Sequence, residues 1–194
     1  MRLLILIFIL VSFPGFSQDR VQPDNINESE ILNAKNVNEK MFQIEILVTQ
    51  TTSYCGGVKP PDELLKEMET PKPLAEKKLY LKKGEKNTFN SKVELEICSD
   101  SLGKIRIQIP PGKYFIVNEF KKDTDFYKIV LKKYKTGTKD YPAIDKLCLK
   151  KWYEQPDLFF EIMNEDLKNL TLNFNKECSW REIPCLQFKG QLPN

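Results

Sequence analysis

The chain has 194 residues, with 30 basic and 27 acidic side chains, five cysteines and no histidine. The near-neutral balance gives no support to nucleic-acid binding, which draws on a strong basic excess. Without histidine there is no Ser-His-Asp or Cys-His catalysis and no His-containing zinc site; carboxylate pairs or a Ser–Lys pair remain as routes to hydrolysis, and no spacing singles one out.

In chain order, the first element is an export signal. Arg2 supplies a positive start, Leu3–Val11 is an unbroken apolar run, and Pro14, Gly15 and Ser17 form a cleavable end. The run is shorter than the ~20 residues a bilayer-spanning helix needs. Residues 1–17 are therefore expected to be removed at Ser17–Gln18. No cysteine follows the cut to carry a lipid, and no other segment is apolar enough to span a membrane. The expected location is extracytoplasmic, periplasmic or secreted. Residues 18–40 are polar and read as a flexible leader, and the domain proper is 41–194.

Period-two alternation then dominates. It marks strands around Phe42–Val48, Leu79–Leu81, Val93–Ile97, Ile105–Ile109, Tyr114–Val117, Leu158–Ile162 and Leu170–Phe174. Seven short strands, most with one apolar face, predict a mainly β fold, a seven-stranded antiparallel β-sandwich of immunoglobulin-like or prealbumin-like type. Ser99–Gly103 reads as a hairpin turn and Pro110-Pro111-Gly112 as a second tight reversal. Short helices are expected at Pro61–Met68, Asp125–Tyr134 and Ala143–Tyr153, the last two within an insertion at about 120–156. The lysine clusters Lys82, Lys83, Lys86 and Lys132, Lys133, Lys135 read as solvated faces.

In an exported chain, Cys55, Cys98, Cys148, Cys178 and Cys185 default to disulfides with one left over. Cys98 shares a strand face with Glu94 and Glu96, opposite the apolar face, and is the expected odd thiol. The other four allow three connectivities; Cys148–Cys178 with Cys55–Cys185 is preferred. A four-thiolate metal site is the alternative, but paired CxxC spacing is missing. Catalytic, metal and cofactor-binding residues are none.

The run Ser99-Asp100-Ser101-Leu102-Gly103, an alternating strand, and Pro110-Pro111-Gly112-Lys113-Tyr114 resembles the carboxypeptidase regulatory-like and transthyretin-like β-sandwich domains over residues 71–119. Pro73 to Leu81 is similar to the strand preceding that unit. The resemblance implies a sandwich serving as an accessory module without catalytic residues. The whole chain also resembles small exported proteins of Gram-negative bacteria, through Tyr54-Cys55-Gly56-Gly57, Pro71-Lys72-Pro73, the Pro110–Tyr114 run, Cys148 with Trp152, and Pro184-Cys185. That likeness implies a periplasmic or surface location and no activity.

Two constellations carry candidate ligand contacts. Tyr54-Cys55-Gly56-Gly57 follows the first strand, as a backbone nest or as a disulfide-tethered turn. Trp152 and Trp180, with Tyr153, flank Cys148 and Cys178, as a stacking platform or as core over a bridge. Asn27 and Asn169 head glycosylation sequons. The expected function is a non-enzymatic interaction module binding an unidentified envelope protein or glycan. A small-ligand or carbohydrate-binding domain through Tyr54, Trp152 and Trp180, and a histidine-free carboxylate hydrolase, are the alternatives.

Overall fold

A computed structural model describes residues 40–191. The apolar run Leu3–Val11, the cut at Ser17–Gln18, the sequon at Asn27 and the leader up to Glu39 lie outside the described residues.

The described chain is mainly β, with two four-stranded sheets. The strands are β1 (Phe42–Thr52), β2 (Lys72–Pro73), β3 (Lys78–Lys83), β4 (Val93–Cys98), β5 (Lys104–Ile109), β6 (Gly112–Val117), β7 (Leu158–Ile162) and β8 (Leu167–Lys176). The helices are α1 (Asp62–Glu69), a 3-10 turn (Glu119–Lys121), α2 (Asp125–Lys133) and α3 (Lys146–Glu154). β1 is the spine of the first sheet. It pairs antiparallel with β5 from Phe42↔Ile109 to Leu47↔Lys104, and with β2 at Thr49↔Pro73. Along its other side it pairs parallel with β8, as far as Thr52↔Lys176. The second sheet runs β4-β3-β6-β7, antiparallel throughout.

The alternation in the sequence is what makes these sheets pack. Ile44, Ile46 and Val48 from β1 meet Leu79 and Leu81 from β3 and Ile116 from β6, all almost fully buried. Burying each such side chain stabilises the fold by roughly 1.5–3 kcal/mol. The sandwich is therefore built by the apolar faces that the sequence pattern exposes to reading.

Three expectations need correction. The strands number eight among the described residues, because Lys72–Pro73 adds a two-residue partner at the end of β1. The sandwich is not wholly antiparallel, because β8 runs parallel to β1. Ser99–Gly103 closes no hairpin: β4 and β5 belong to different sheets. The turn is instead docked onto β1. Val48 N donates to Gly103 O at 2.7 Å, while the Asp100 carboxylate accepts from Leu102 N and Lys104 N, both at 2.8 Å. Gly103 has φ +74°, and a Cβ there would lie 2.5 Å from Val48 O. A side chain is thus excluded where the turn touches β1.

The outer face of the second sheet is covered in turn. Phe115 and Val117 are fully buried and Tyr80 nearly so. Lys82 is 0% exposed, which corrects its reading as part of a solvated face. Its Nζ donates to Asn87 Oδ1 at 2.7 Å and to Lys121 O at 3.3 Å. Asn87 Nδ2 donates to Lys121 O and Tyr153 O at 2.9 and 3.0 Å. One buried amide thus ties β3 to the 3-10 turn and to α3. Above it, Val130, Tyr134, Ile144, Leu149 and Leu186 form a second, smaller core. Asp145 caps α3 by accepting from Leu147 N and Cys148 N at 2.8 and 3.2 Å. No helix among the described residues is long and apolar enough to cross a membrane.

Candidate functional site

The parallel register of β1 and β8 decides what gathers at one end of the domain. Ser53 N still donates to Lys176 O at 2.9 Å, so the two strands leave the sheet together. Cys55 and Cys178 follow directly and bond, with Cα atoms 5.6 Å apart. Cys148, in the first turn of α3, bonds Cys185 in the C-terminal segment, at a Cα separation of 5.8 Å. The preferred pairing of Cys148 with Cys178 and Cys55 with Cys185 is therefore corrected, since β8 delivers Cys178 to the end of β1. Cys98 is a free, exposed thiol. The two disulfides point to an extracytoplasmic chain.

A polar ladder leads along the outer face to this end. Thr49 Oγ1 donates to Asn173 Oδ1 at 2.9 Å, Asn173 Nδ2 to Thr51 Oγ1 at 3.2 Å, and Asn175 Nδ2 to Ser53 Oγ at 2.8 Å. These cross-strand pairs fix the strand ends on which the clefts are built.

Two clefts adjoin there. One, of about 390 Å³, lies between α1 and the β1 end, with Tyr54, Leu65, Met68 and Arg181 in its walls. The other, of about 360 Å³, opens at the mouth between the sheets, with Asn118, Phe120, Trp152, Phe174, Arg181 and Glu182 around it. Asn175 and Arg181 line both. A third hollow, of about 570 Å³, lies on the far side of Trp152 and Pro184, against the Cys148–Cys185 bridge.

Trp152 is held rigidly for a surface aromatic. Lys121 Nζ sits 4.8 Å from its ring centroid, and the Phe126 ring lies at 5.8 Å. Lys121 is itself pinned, 2.7 Å from Asp157 Oδ1 and 3.0 Å from Gln155 O, with both charged side chains largely buried. With the ammonium over the ring and the second core packed against it, the indole is held in one orientation while it also lines the clefts.

The candidate contacts are thus separated. Tyr54 and Trp152 line adjoining clefts that share Arg181. Trp180 is half-buried beside Phe188, its carbonyl accepting from Tyr141 Oη at 3.3 Å. Tyr153 is core, packed on Phe89 and Tyr127. Phe120, Phe174 and Arg181 were not singled out by sequence. Phe174 carried a signal, as the last inward residue of its strand. Arg181 carried none.

Buried Lys82 offers a different chemistry. Burial lowers its amine from 10.5 to about 8, partly opposed by the nearby Asp123 carboxylate. A neutral amine is a base or nucleophile, yet Lys82 is wholly enclosed, and a substrate would have to displace the layer above it. No group of three or more metal-ligating side chains occurs among the described residues.

No family model and no curated protein matches the chain. Among solved structures it is similar to the minor pilin GBS52 of Streptococcus agalactiae, at 14% identity and TM-score 0.34, covering 80% of this chain and 49% of the pilin. It is also similar to the Bacillus anthracis TIE protein, at 12% identity and TM-score 0.32, covering 70% of this chain and 17% of the other. The chain thus spans about half of the first and a smaller part of the second. Likeness this distant assigns neither an activity nor a partner.

Proposed function

We propose that this chain is an exported, non-enzymatic β-sandwich module of the periplasm or cell surface, and that it binds an envelope component at the cleft around Trp152. In this reading residues 1–17 are the removed signal and 18–40 a leader that presents the domain. One observation carries the proposal. The mouth of the sandwich brings the side chains of Phe120, Trp152 and Phe174 together with the amide of Asn118 and the guanidinium of Arg181. Such a surface suits a glycan or an extended polar segment, which needs stacking area and directional hydrogen bonds together. The pinning of Trp152 by Lys121 supports the same reading, because a preordered ring loses little freedom on binding.

The test is capture of envelope extract and a glycan array with the disulfide-bonded protein, beside Trp152→Ala and Arg181→Ala. Both variants are expected to lose at least tenfold in retention of whichever class binds. Trp180→Ala, away from the clefts, is expected to bind as the parent does. Equal retention by Trp152→Ala and the parent would move the site elsewhere. Glycan-array signal without protein capture selects the carbohydrate alternative. Release of a cleaved product, lost in Glu177→Gln or Glu182→Gln, would replace the binding module with a hydrolase.

A further inference from the structure

We infer that the β4 and β5 edges form an assembly surface for a second copy of this chain, independent of the cleft. Each strand is paired on one side only among the described residues, β4 with β3 and β5 with β1. Consecutive in sequence but in different sheets, they form two neighbouring open edges. Val93 and Leu95 on β4 are each 42% exposed, an unusual apolar pair for an open edge, and Ile107 on β5 is half-buried. Unpaired backbone beside exposed apolar side chains is a template for strand addition.

The charge pattern says what fits. β4 alternates apolar residues with Glu94 and Glu96, and β5 alternates isoleucines with Lys104 and Arg106. Both charged rows lie on the faces turned from the core. Two β4 edges would set glutamates against glutamates, and two β5 edges would set bases against bases, which is destabilising. A β4 edge against a β5 edge brings opposite charges onto one face and apolar residues onto the other. Glu94 and Lys104 have no ion-pair partner among the described residues; Glu96 and Arg106 have exposed ones, Lys78 at 3.5 Å and Glu45 at 3.2 Å.

One chain carries both complementary edges, so a single two-fold operation satisfies both. With the axis along the strands, β4 of each copy lies beside β5 of the other, antiparallel, in two identical ladders. Gly103 N donates to Asp100 O and Asp100 N to Lys104 O, so the turn centres on Leu102. This sets Cys98 opposite Arg106, Ile97 opposite Ile107 and Glu96 opposite Gln108, with Glu96 diagonal to Arg106 and Cys98 diagonal to Lys104. The assembly closes at two copies and leaves no β4 or β5 edge exposed.

The experiment is sedimentation of the exported, disulfide-bonded chain over a concentration series. The parent is expected to reach twice the monomer mass. Glu94→Lys/Glu96→Lys and, separately, Lys104→Glu/Arg106→Glu are expected to stay monomeric with unchanged far-UV dichroism. Mixing the two variants is expected to restore the twofold mass, which two misfolded chains would not do. A short amine-to-thiol cross-linker is expected to join Cys98 of one copy to Lys104 of the other. A parent monomeric at every concentration would overturn the inference. So would swapped variants that still dimerise alone, or a mass growing beyond two copies.

Discussion

Lys82 sits in a stretch that reads as a basic surface, and the structure places its amine under a roof of helices. A fully enclosed ammonium is costly, and burial lowers its pKa to about 8. Above that value the folded protein releases the proton, while the unfolded chain keeps it to about 10.5. Stability therefore rises from about pH 8 towards pH 10, by up to roughly 3 kcal/mol. Tyr153, whose phenol is raised by burial, opposes this above its ordinary range, because there the unfolded chain loses its proton first. In Lys82→Met the alkaline rise in urea midpoint is expected to vanish. The variant also leaves Asn87 Oδ1 without its amine donor, a cost of about 1–3 kcal/mol. A rise that persists in Lys82→Met would assign the pH response to another group. Sequence periodicity placed Lys82 correctly on the face opposite Leu79 and Leu81. It was silent about whether that face met water, since the covering layer comes from residues 118–154.

At the scale of elements, apolar alternation located every long strand and left their neighbours undetermined. Leu170, Leu172 and Phe174 face the core whether β8 runs parallel or antiparallel to β1, so the pattern carries no direction. The disulfide pairing hung on that direction and was unreadable for the same reason. Likewise, Asp100 and Gly103 make a tight turn equally well between paired strands or between sheets. In this turn Gly103 extends the β1–β5 pairing past Leu47↔Lys104 by accepting from the backbone of Val48. Gly103→Ala must strain a residue at φ +74° and push Cβ against Val48 O. A loss of about 1–3 kcal/mol is expected in thermal or urea unfolding. Ser101→Ala, in the same turn, is expected within about 0.5 kcal/mol of the parent. Equal losses in the two would mean that the turn is not anchored through Gly103.

For the whole molecule, the candidate site was half legible. Tyr54 and Trp152 stand out as aromatics beside cysteines, and both line the clefts. Phe120, Phe174 and Arg181 join them only because three distant segments meet at the mouth of the sandwich, a meeting that no local spacing encodes. The Cys55–Cys178 bridge that organises this end also decides how the domain would carry mechanical tension. Suppose it is pulled between residues 40 and 191, as happens to a protein held at one end and bound at the other. Force enters along β1, which is already extended, crosses the sulfur–sulfur bond, and leaves through the C-terminal segment. Residues between the two cysteines, 123 positions apart in sequence, lie off that path. Single-molecule pulling is expected to release only the short tail while the bridge is intact, and most of the domain once a reductant opens it. Equal lengthening in both conditions would refute this path. An intact bridge would let the sandwich hold its clefts in shape while its ends are under load.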